Sequence, residues 1–179
     1  GNGPSAEKEF QAAIRRGASD SRIKVLLARA YLLQGKNQEA LDEVPQDVTD
    51  PDLKPEALLA RAQAQLGLRK FEEARALFME ADKLRPEDVR SKIGIAQSYV
   101  SEGKIAEGET QIDEALQRKP DSPEALVLKG ELRRLNKDLD GAIAQFDKAI
   151  KANENNLLAR LGRAAAVASS RGLASSSMF

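Results

Sequence analysis

The sequence predicts an all-α protein built from stacked pairs of antiparallel helices, and three observations lead to that prediction. The composition favours helix over sheet, because 28 Ala and 22 Leu stand against 15 Val and Ile and seven aromatic residues. Small residues recur every 34 positions, a period typical of helical-hairpin repeats. Glycine and proline lie where the helices of such hairpins would end or begin.

Small and large apolar residues mark the repeat. One set of small residues is spaced by 34 and consists of Ala28, Ala62, Ala96, Gly130 and Ala164. A second set follows twelve residues after the first four and consists of Ala40, Ala74, Gly108 and Ala142. Large apolar residues come four positions later, at Val44, Phe78, Ile112 and Phe146. Small residues let two helices approach closely, and stacking of successive hairpins makes one continuous core.

The phase of these residues divides the chain, which we interpret as a single repeat domain over 1–179. The second helix of a truncated repeat is predicted over 5–20, where Ala6, Phe10 and Ala13 keep the spacing of the later second helices. Four full repeats are then predicted over 21–54, 55–88, 89–122 and 123–156. The first helix of another truncated repeat, over 157–169, and a polar tail fill 157–179.

Turn residues agree with these boundaries. Gly35 and Gly103 lie where a first helix would end in a left-handed cap, and Ser122 before Pro123 is typical of a helix start.

The second helix of the repeat over 21–54 departs from the pattern. Pro45 falls where that helix should still run, and an interior proline costs a helix about 3 kcal/mol. We therefore expect the helix to stop near Val44 and 46–52 to form a loop. An ordinary connection and a binding loop are both open interpretations of it.

This pattern resembles the tetratricopeptide repeat (TPR) family. The best match is the repeat over 55–88, which carries Leu58, Ala62, Ala74, Phe78, Ala81 and Pro86. The resemblance implies a right-handed superhelical solenoid. It also implies that the first helix of each pair lines a concave face on which peptides or partner helices lie.

A narrower resemblance concerns the segments 7–10, 26–36, 41–45 and 155–160. They look like the large repeat lipoprotein that accompanies exosortase and PEP-CTERM sorting in exopolysaccharide-producing bacteria. This resemblance implies a fragment of a long envelope-associated array, located in the cell envelope or periplasm. Without it, the localisation is open and the cytoplasm is the default.

The composition excludes many kinds of chemistry. The chain has 28 basic and 28 acidic side chains and no His, Cys or Trp, so cysteine nucleophiles, histidine bases, His/Cys metal sites and disulfides are ruled out. Zero net charge gives no electrostatic footprint for nucleic acid, and no apolar run is long enough to insert into a membrane. We therefore predict no enzyme activity and no catalytic, cofactor or metal residues.

The outward residues of the first helices are the predicted partner-binding surface. An aliphatic stripe consists of Val25, Leu59, Ile93 and Val127, continued by Leu161. A polar row lies one helical turn further on and consists of Arg29, Gln63, Gln97 and Glu131, continued by Ala165. A third row follows at Leu32, Leu66, Val100, Arg134 and Ala168.

Such a face would hold a peptide or protein segment of unknown identity, with apolar pockets from the stripe and backbone hydrogen bonds from Gln63 and Gln97. Packing between adjacent first helices is an equal alternative for the stripe. Val25 and Arg29 stand where chaperone-binding members carry their lysine and asparagine clamp, which disfavours a chaperone adaptor.

Three basic residues share a phase that usually holds Leu: Arg61, Lys129 and Arg163. We expect their charged ends to reach acidic neighbours.

The sequence thus predicts a protein-binding scaffold from a longer array. Two alternatives stay open: an architectural spacer, and the regulatory arm of a larger enzyme. The helix over 157–169 also predicts an exposed apolar face, covered either by the tail or by end-to-end self-association.

Overall fold

The computed structural model describes residues 3–16 and 20–176, with side chains over 4–16 and 20–171. Every regular element in these ranges is an α-helix, which confirms the all-α prediction. The helices are α1 (Gly3–Arg15), α2 (Ser21–Leu32), α3 (Asn37–Glu43), α4 (Lys54–Gly67), α5 (Phe71–Leu84), α6 (Arg90–Ser101), α7 (Ile105–Arg118), α8 (Pro123–Leu135), α9 (Leu139–Ala152) and α10 (Leu157–Ser176).

The chain forms two compact units, Gly1–Glu102 with α1–α6 and Gly103–Phe179 with α7–α10. Within each unit every helix packs on the next one along the chain, as in a series of helical hairpins. In the first unit α4 also contacts α2 and α6, and in the second α8 contacts α10. First helices therefore lie side by side within each unit.

Small residues bring the helices of the first unit together. Ala28, Ala40 and Ala62 have no exposed surface, and Phe78 is buried beside Ala62 in the cluster formed by α4, α5 and α6. The Phe78 ring contacts the backbone of Gly94 so closely that a Cβ at that position would overlap it. The small residues that define the repeat are thus the contact points of its helices.

Phe146 has the same role in the second unit. Its ring lies between Gly130 of α8 and Gly162 of α10, where an added Cβ would stand 2.7 Å and 2.5 Å from ring carbons. The ring is fully buried, in a cluster that includes Ala142 and Ala166.

The turn that follows each of α2, α4, α6 and α8 contains one residue with a left-handed backbone. These residues are spaced by 34 and are Gly35 (φ 72°), Arg69 (φ 63°), Gly103 (φ 80°) and Lys137 (φ 62°). The predicted left-handed caps at Gly35 and Gly103 are confirmed. The equivalent turns at Arg69 and Lys137 were not predicted, because the prediction relied on glycine. Ser122 is also confirmed as a helix cap, since its hydroxyl accepts from the Ala125 N–H at 3.4 Å.

Helix α3 has only seven residues and ends at Glu43, one residue before Val44, as Pro45 predicts. The connection that follows still contributes to the core. Val44 and Val48 are buried in the cluster formed by α2, α3 and α4, with Leu53 packed against it. The loop therefore covers apolar surface that a longer second helix would otherwise cover.

The last helix is longer than predicted. A polar tail was expected after residue 169, but α10 continues to Ser176. No proline interrupts this segment, and the Ser169 hydroxyl donates to the Ala165 carbonyl of its own helix at 3.0 Å. The Ser169 hydroxyl thus bonds within the helix, and the end of the predicted tail, 177–179, lies outside the described residues.

Candidate functional site

The aliphatic stripe of the first unit is part of its core. Val25, Leu59 and Ile93 are 2%, 5% and 8% exposed. Val25 lies in one cluster with Ala57 and Ala60 of the neighbouring first helix. The structure therefore favours the packing alternative for these three residues, which leave little apolar surface for a ligand.

The polar row of the first unit is exposed. Arg29, Gln63 and Gln97 face solvent along α2, α4 and α6. Arg29 lies 3.8 Å from the Glu56 carboxylate, while neither glutamine amide is engaged in a hydrogen bond with any other described residue. These two amides are free to donate and accept, as a peptide backbone requires.

An ionic cluster that sequence reasoning missed surrounds Glu56 at the start of α4. The Glu56 carboxylate is 2.6 Å from Arg90 and 2.9 Å from Arg85. The hydrogen bond from Arg90 holds the pKa of Glu56 below its ordinary value, and the charges of Arg90, Arg29 and Arg85 act in the same direction. The available signal is a row of alternating charge spaced by 34: Arg22, Glu56, Arg90 and Glu124.

The second unit has an open groove between α8 and α10, with a volume of about 490 Å³. The residues that line it are Val127, Glu131, Arg134, Leu158, Leu161, Gly162 and Ala165. Leu158 and Leu161 of α10 are 67% and 58% exposed, and Val127 of α8 is half-buried. This groove is an apolar surface on the predicted face that lies within one unit.

The rim of this groove is polar. Glu131 and Arg134 form an ion pair of 2.8 Å, one turn apart on α8. A Cβ at Gly162 would stand 3.0 Å from the Glu131 carboxylate, so the absence of a side chain there lets α10 approach the rim. An aliphatic floor with one charged edge can hold an apolar side chain and fix the direction of the chain that carries it.

The structure thus separates the predicted site residues by unit. Val127 and Glu131 come together with Leu161, Ala165 and Arg134 in the groove of the second unit. Leu158 was not predicted, although it occupies the position 34 residues after Glu124.

Two absences concern the part of the chain that the structure describes. No group of three or more acidic side chains is placed to hold a metal ion. No helix in these ranges is both long and apolar enough to cross a membrane.

Comparison with solved structures identifies the same architecture in other proteins. TTC0263, a TPR protein of Thermus thermophilus, is 22% identical with a TM-score of 0.81, over 92% of this chain and 90% of its own. The first TPR of Spaghetti (RPAP3), bound to the HSP90 peptide SRMEEVD, is 19% identical with a TM-score of 0.59, over 68% and 94%. YrrB, a TPR protein with an unusual peptide-binding site, is 16% identical with a TM-score of 0.58, over 90% and 83%.

Comparison by sequence points to the same family. A search among curated proteins gives no match. The narrower resemblance to the PEP-CTERM-associated lipoprotein has no support in these comparisons. Two sequence models described as tetratricopeptide repeat match the chain, one over 1–52 and 93–156 and the other over 55–88. With most of its length matched and helix pairs of this architecture in both units, the chain belongs to the tetratricopeptide repeat family.

Proposed function

We propose that the chain is a non-enzymatic scaffold that binds a peptide segment of a partner protein in the α8–α10 groove. The observation that carries this proposal is the exposure of Leu158 and Leu161 at the wall of an open groove whose rim is charged. Large exposed aliphatic side chains with a polar rim are typical of protein-binding surfaces.

The groove favours a ligand with one or two apolar side chains. Leu158 and Leu161 lie one turn apart, so an aliphatic or aromatic side chain inserted between them would also contact Val127. The Glu131–Arg134 pair offers both an acceptor and donors to the backbone beside that side chain. In the first unit, Gln63 and Gln97 offer the same kind of bonds to an extended segment.

Peptide recognition by solved structures of this fold supports the proposal. Spaghetti (RPAP3) was solved with an HSP90 peptide, and the second TPR domain of human RPAP3 with the HSP70 peptide SGPTIEEVD. Val25 stands at a clamp position and is buried, while Arg29 is already close to Glu56. We therefore expect a ligand other than such a chaperone terminus.

The exposed face of α10 supports end-to-end self-association as a second role. Leu157 is 64% exposed and Ala164 is also exposed, although Ala164 has the phase of residues that contact a second helix elsewhere in the chain. The envelope setting and the alternatives of a spacer or a regulatory arm rest on the sequence alone.

The proposal is tested by selecting peptides from a random phage-displayed library on the immobilised chain. Leu158→Asp with Leu161→Asp should abolish capture of the selected peptides, because both substitutions place a carboxylate in the groove. Leu157→Asp is the matched control, since Leu157 is equally exposed on the same helix but does not line the groove.

Circular dichroism should show the same helix content in all three proteins. Failure to enrich any peptide, or capture that survives the double substitution, would contradict the proposal. We also expect no turnover of ester, phosphate, glycoside or peptide substrates by the purified chain.

A further inference from the structure

The first unit has a cavity of about 320 Å³ beside the irregular connection that follows α3. Residues 45–48 of the connection form one wall, and Leu58 and Arg61 of α4 with Leu77 of α5 form the other. The cavity is separate from the α8–α10 groove and shares no residue with it. Nothing in the proposed function uses it.

Arg61, Lys129 and Arg163 occupy equivalent positions in the repeat, but Arg61 differs from the other two in its partners. Lys129 lies 2.8 Å from both Glu109 and Asp113 of the preceding second helix. Arg163 lies 2.5 Å from Asp147, again on the preceding second helix. The prediction of acidic neighbours is confirmed for these two residues.

For Arg61 the same prediction is wrong. Within the described part of the chain, its guanidinium has no carboxylate at ion-pair distance, and its only hydrogen bond goes to the Val44 carbonyl at 3.5 Å. The reason is that Leu41 and Pro45 occupy the positions equivalent to Glu109 and Asp113, two repeats or 68 residues earlier. At this place the chain has the basic side chain of Arg61 but neither of the two acidic side chains that pair with Lys129.

The cavity opens where those carboxylates are missing. Its floor is apolar, because Ala57 and Leu58 are 3% and 8% exposed. Glu80 also lines it but is neutralised by Lys54 at 3.3 Å, so the unpaired charges at the wall are Arg61 and Asp47. A half-buried guanidinium beside an apolar floor favours an anionic group on a short aliphatic stem.

We propose that this cavity binds a glutamate side chain from an acidic segment of a partner protein, with Arg61 donating to the carboxylate. The aliphatic stem would lie on Leu58 and Leu77. This contact is independent of the α8–α10 groove, so either can fail without the other.

The test uses butyrate, which reproduces the glutamate side chain from Cα outward, and butyramide, which has the same shape without the charge. Titration of the ¹⁵N-labelled chain with butyrate should shift the Arg61 Nε–Hε resonance and the Leu58 amide saturably. Butyramide should bind at least about tenfold more weakly, since a charge-assisted bidentate contact is lost.

Three variants locate the effect. Arg61→Ile places at residue 61 the residue type that Ile95 supplies one repeat later, and it should weaken butyrate binding about tenfold. Arg163→Ile, in the same phase but away from the cavity, should leave the titration unchanged. Asp47→Asn should tighten binding, because it removes the like charge from the cavity wall.

The inference is overturned if butyrate and butyramide shift the same resonances equally, if butyrate causes no saturable shift, or if the shifts survive Arg61→Ile. Arg61→Lys keeps the charge and covers the case in which the isoleucine variant does not fold. Arg61→Lys should bind butyrate with an affinity between that of the wild type and that expected for Arg61→Ile.

Discussion

The ring of Phe146 is in direct contact with the backbone of Gly162, with room for no side-chain atom between them: a Cβ there would stand 2.5 Å from the ring. The contact joins α9 to α10, the helix that supplies one wall of the groove. Because the ring is fully buried, it cannot move aside without disturbing the core.

Gly162→Ala should therefore destabilise the second unit by about 1–3 kcal/mol, the usual cost of overpacking. Urea unfolding followed by circular dichroism measures this loss. The double variant with Phe146→Leu should lose less stability than the sum of the two single losses, since the smaller side chain leaves room for the added methyl. Strictly additive effects of the two substitutions would show that the contact is not as close as described.

The left-handed turns predict opposite effects for opposite substitutions. Arg69→Gly and Lys137→Gly should each raise the free energy of unfolding by up to about 1 kcal/mol, because only glycine adopts a positive φ without strain. Gly35→Ala and Gly103→Ala should lower it by a similar amount, although an added Cβ would contact nothing within 4 Å at either site. Unchanged stability in all four variants would contradict the backbone geometry.

The Glu56 cluster predicts a pH dependence of stability. Since the pKa of Glu56 is lowered in the folded chain, the ion cluster stabilises the fold above the unfolded pKa, and this contribution is lost as the pH falls through the folded value. Glu56→Gln should remove on the order of 1 kcal/mol at pH 7 and much less at strongly acidic pH. Urea unfolding at both pH values measures the difference, and an equal loss at both would exclude an electrostatic origin.

Helix α10 should be less protected against hydrogen exchange than α4 and α5 of the first unit. Its Leu157, Leu158 and Leu161 are exposed, and stability in a stacked array is a sum over neighbouring contacts. Hydrogen exchange should therefore be faster over 157–169 than over 58–82 in a dilute monomer. Protection that rises with protein concentration would support end-to-end association, whereas equal protection of the two segments in a demonstrated monomer would contradict this prediction.

The 34-residue phase predicts helix faces well, because each pair is packed by the same small and large residues. Phe78 and Phe146 are both fully buried against small residues, as the pattern indicates. The phase does not predict exposure. Leu59 and Leu161 share one position in the repeat, yet Leu59 is buried in the cluster formed by α4, α5 and α6 while Leu161 is exposed at the groove. Among the described residues of its unit, α10 contacts only α8 and α9.

Charges were predictable only where both partners are part of the repeat. Lys129 has its acidic partners one helix back, so its position in the pattern indicates the contact. Arg61 has the same position in the repeat, but Leu41 and Pro45 stand where its acidic partners would be. An expectation based on the position of Arg61 alone does not include the residues of the preceding second helix. Both Arg61 and the cavity beside it appear only when adjacent repeats are compared residue by residue.

The short helix α3 has a consequence for engineering. The connection 44–53 replaces the missing helical turns, yet Ala28 and Ala62 are still 34 residues apart in the sequence. The repeat therefore tolerates a change of backbone conformation here as long as the number of residues is kept. Val44, Val48 and Leu53 anchor this connection in the core, while Asp50 pairs with Arg22 and the Asp52 carbonyl accepts from Arg85. Residues 45–47, between the first two anchors, make none of these contacts. A foreign recognition loop of matched length could therefore be grafted between these anchors. It would give the array a designed specificity without redesign of the other repeats.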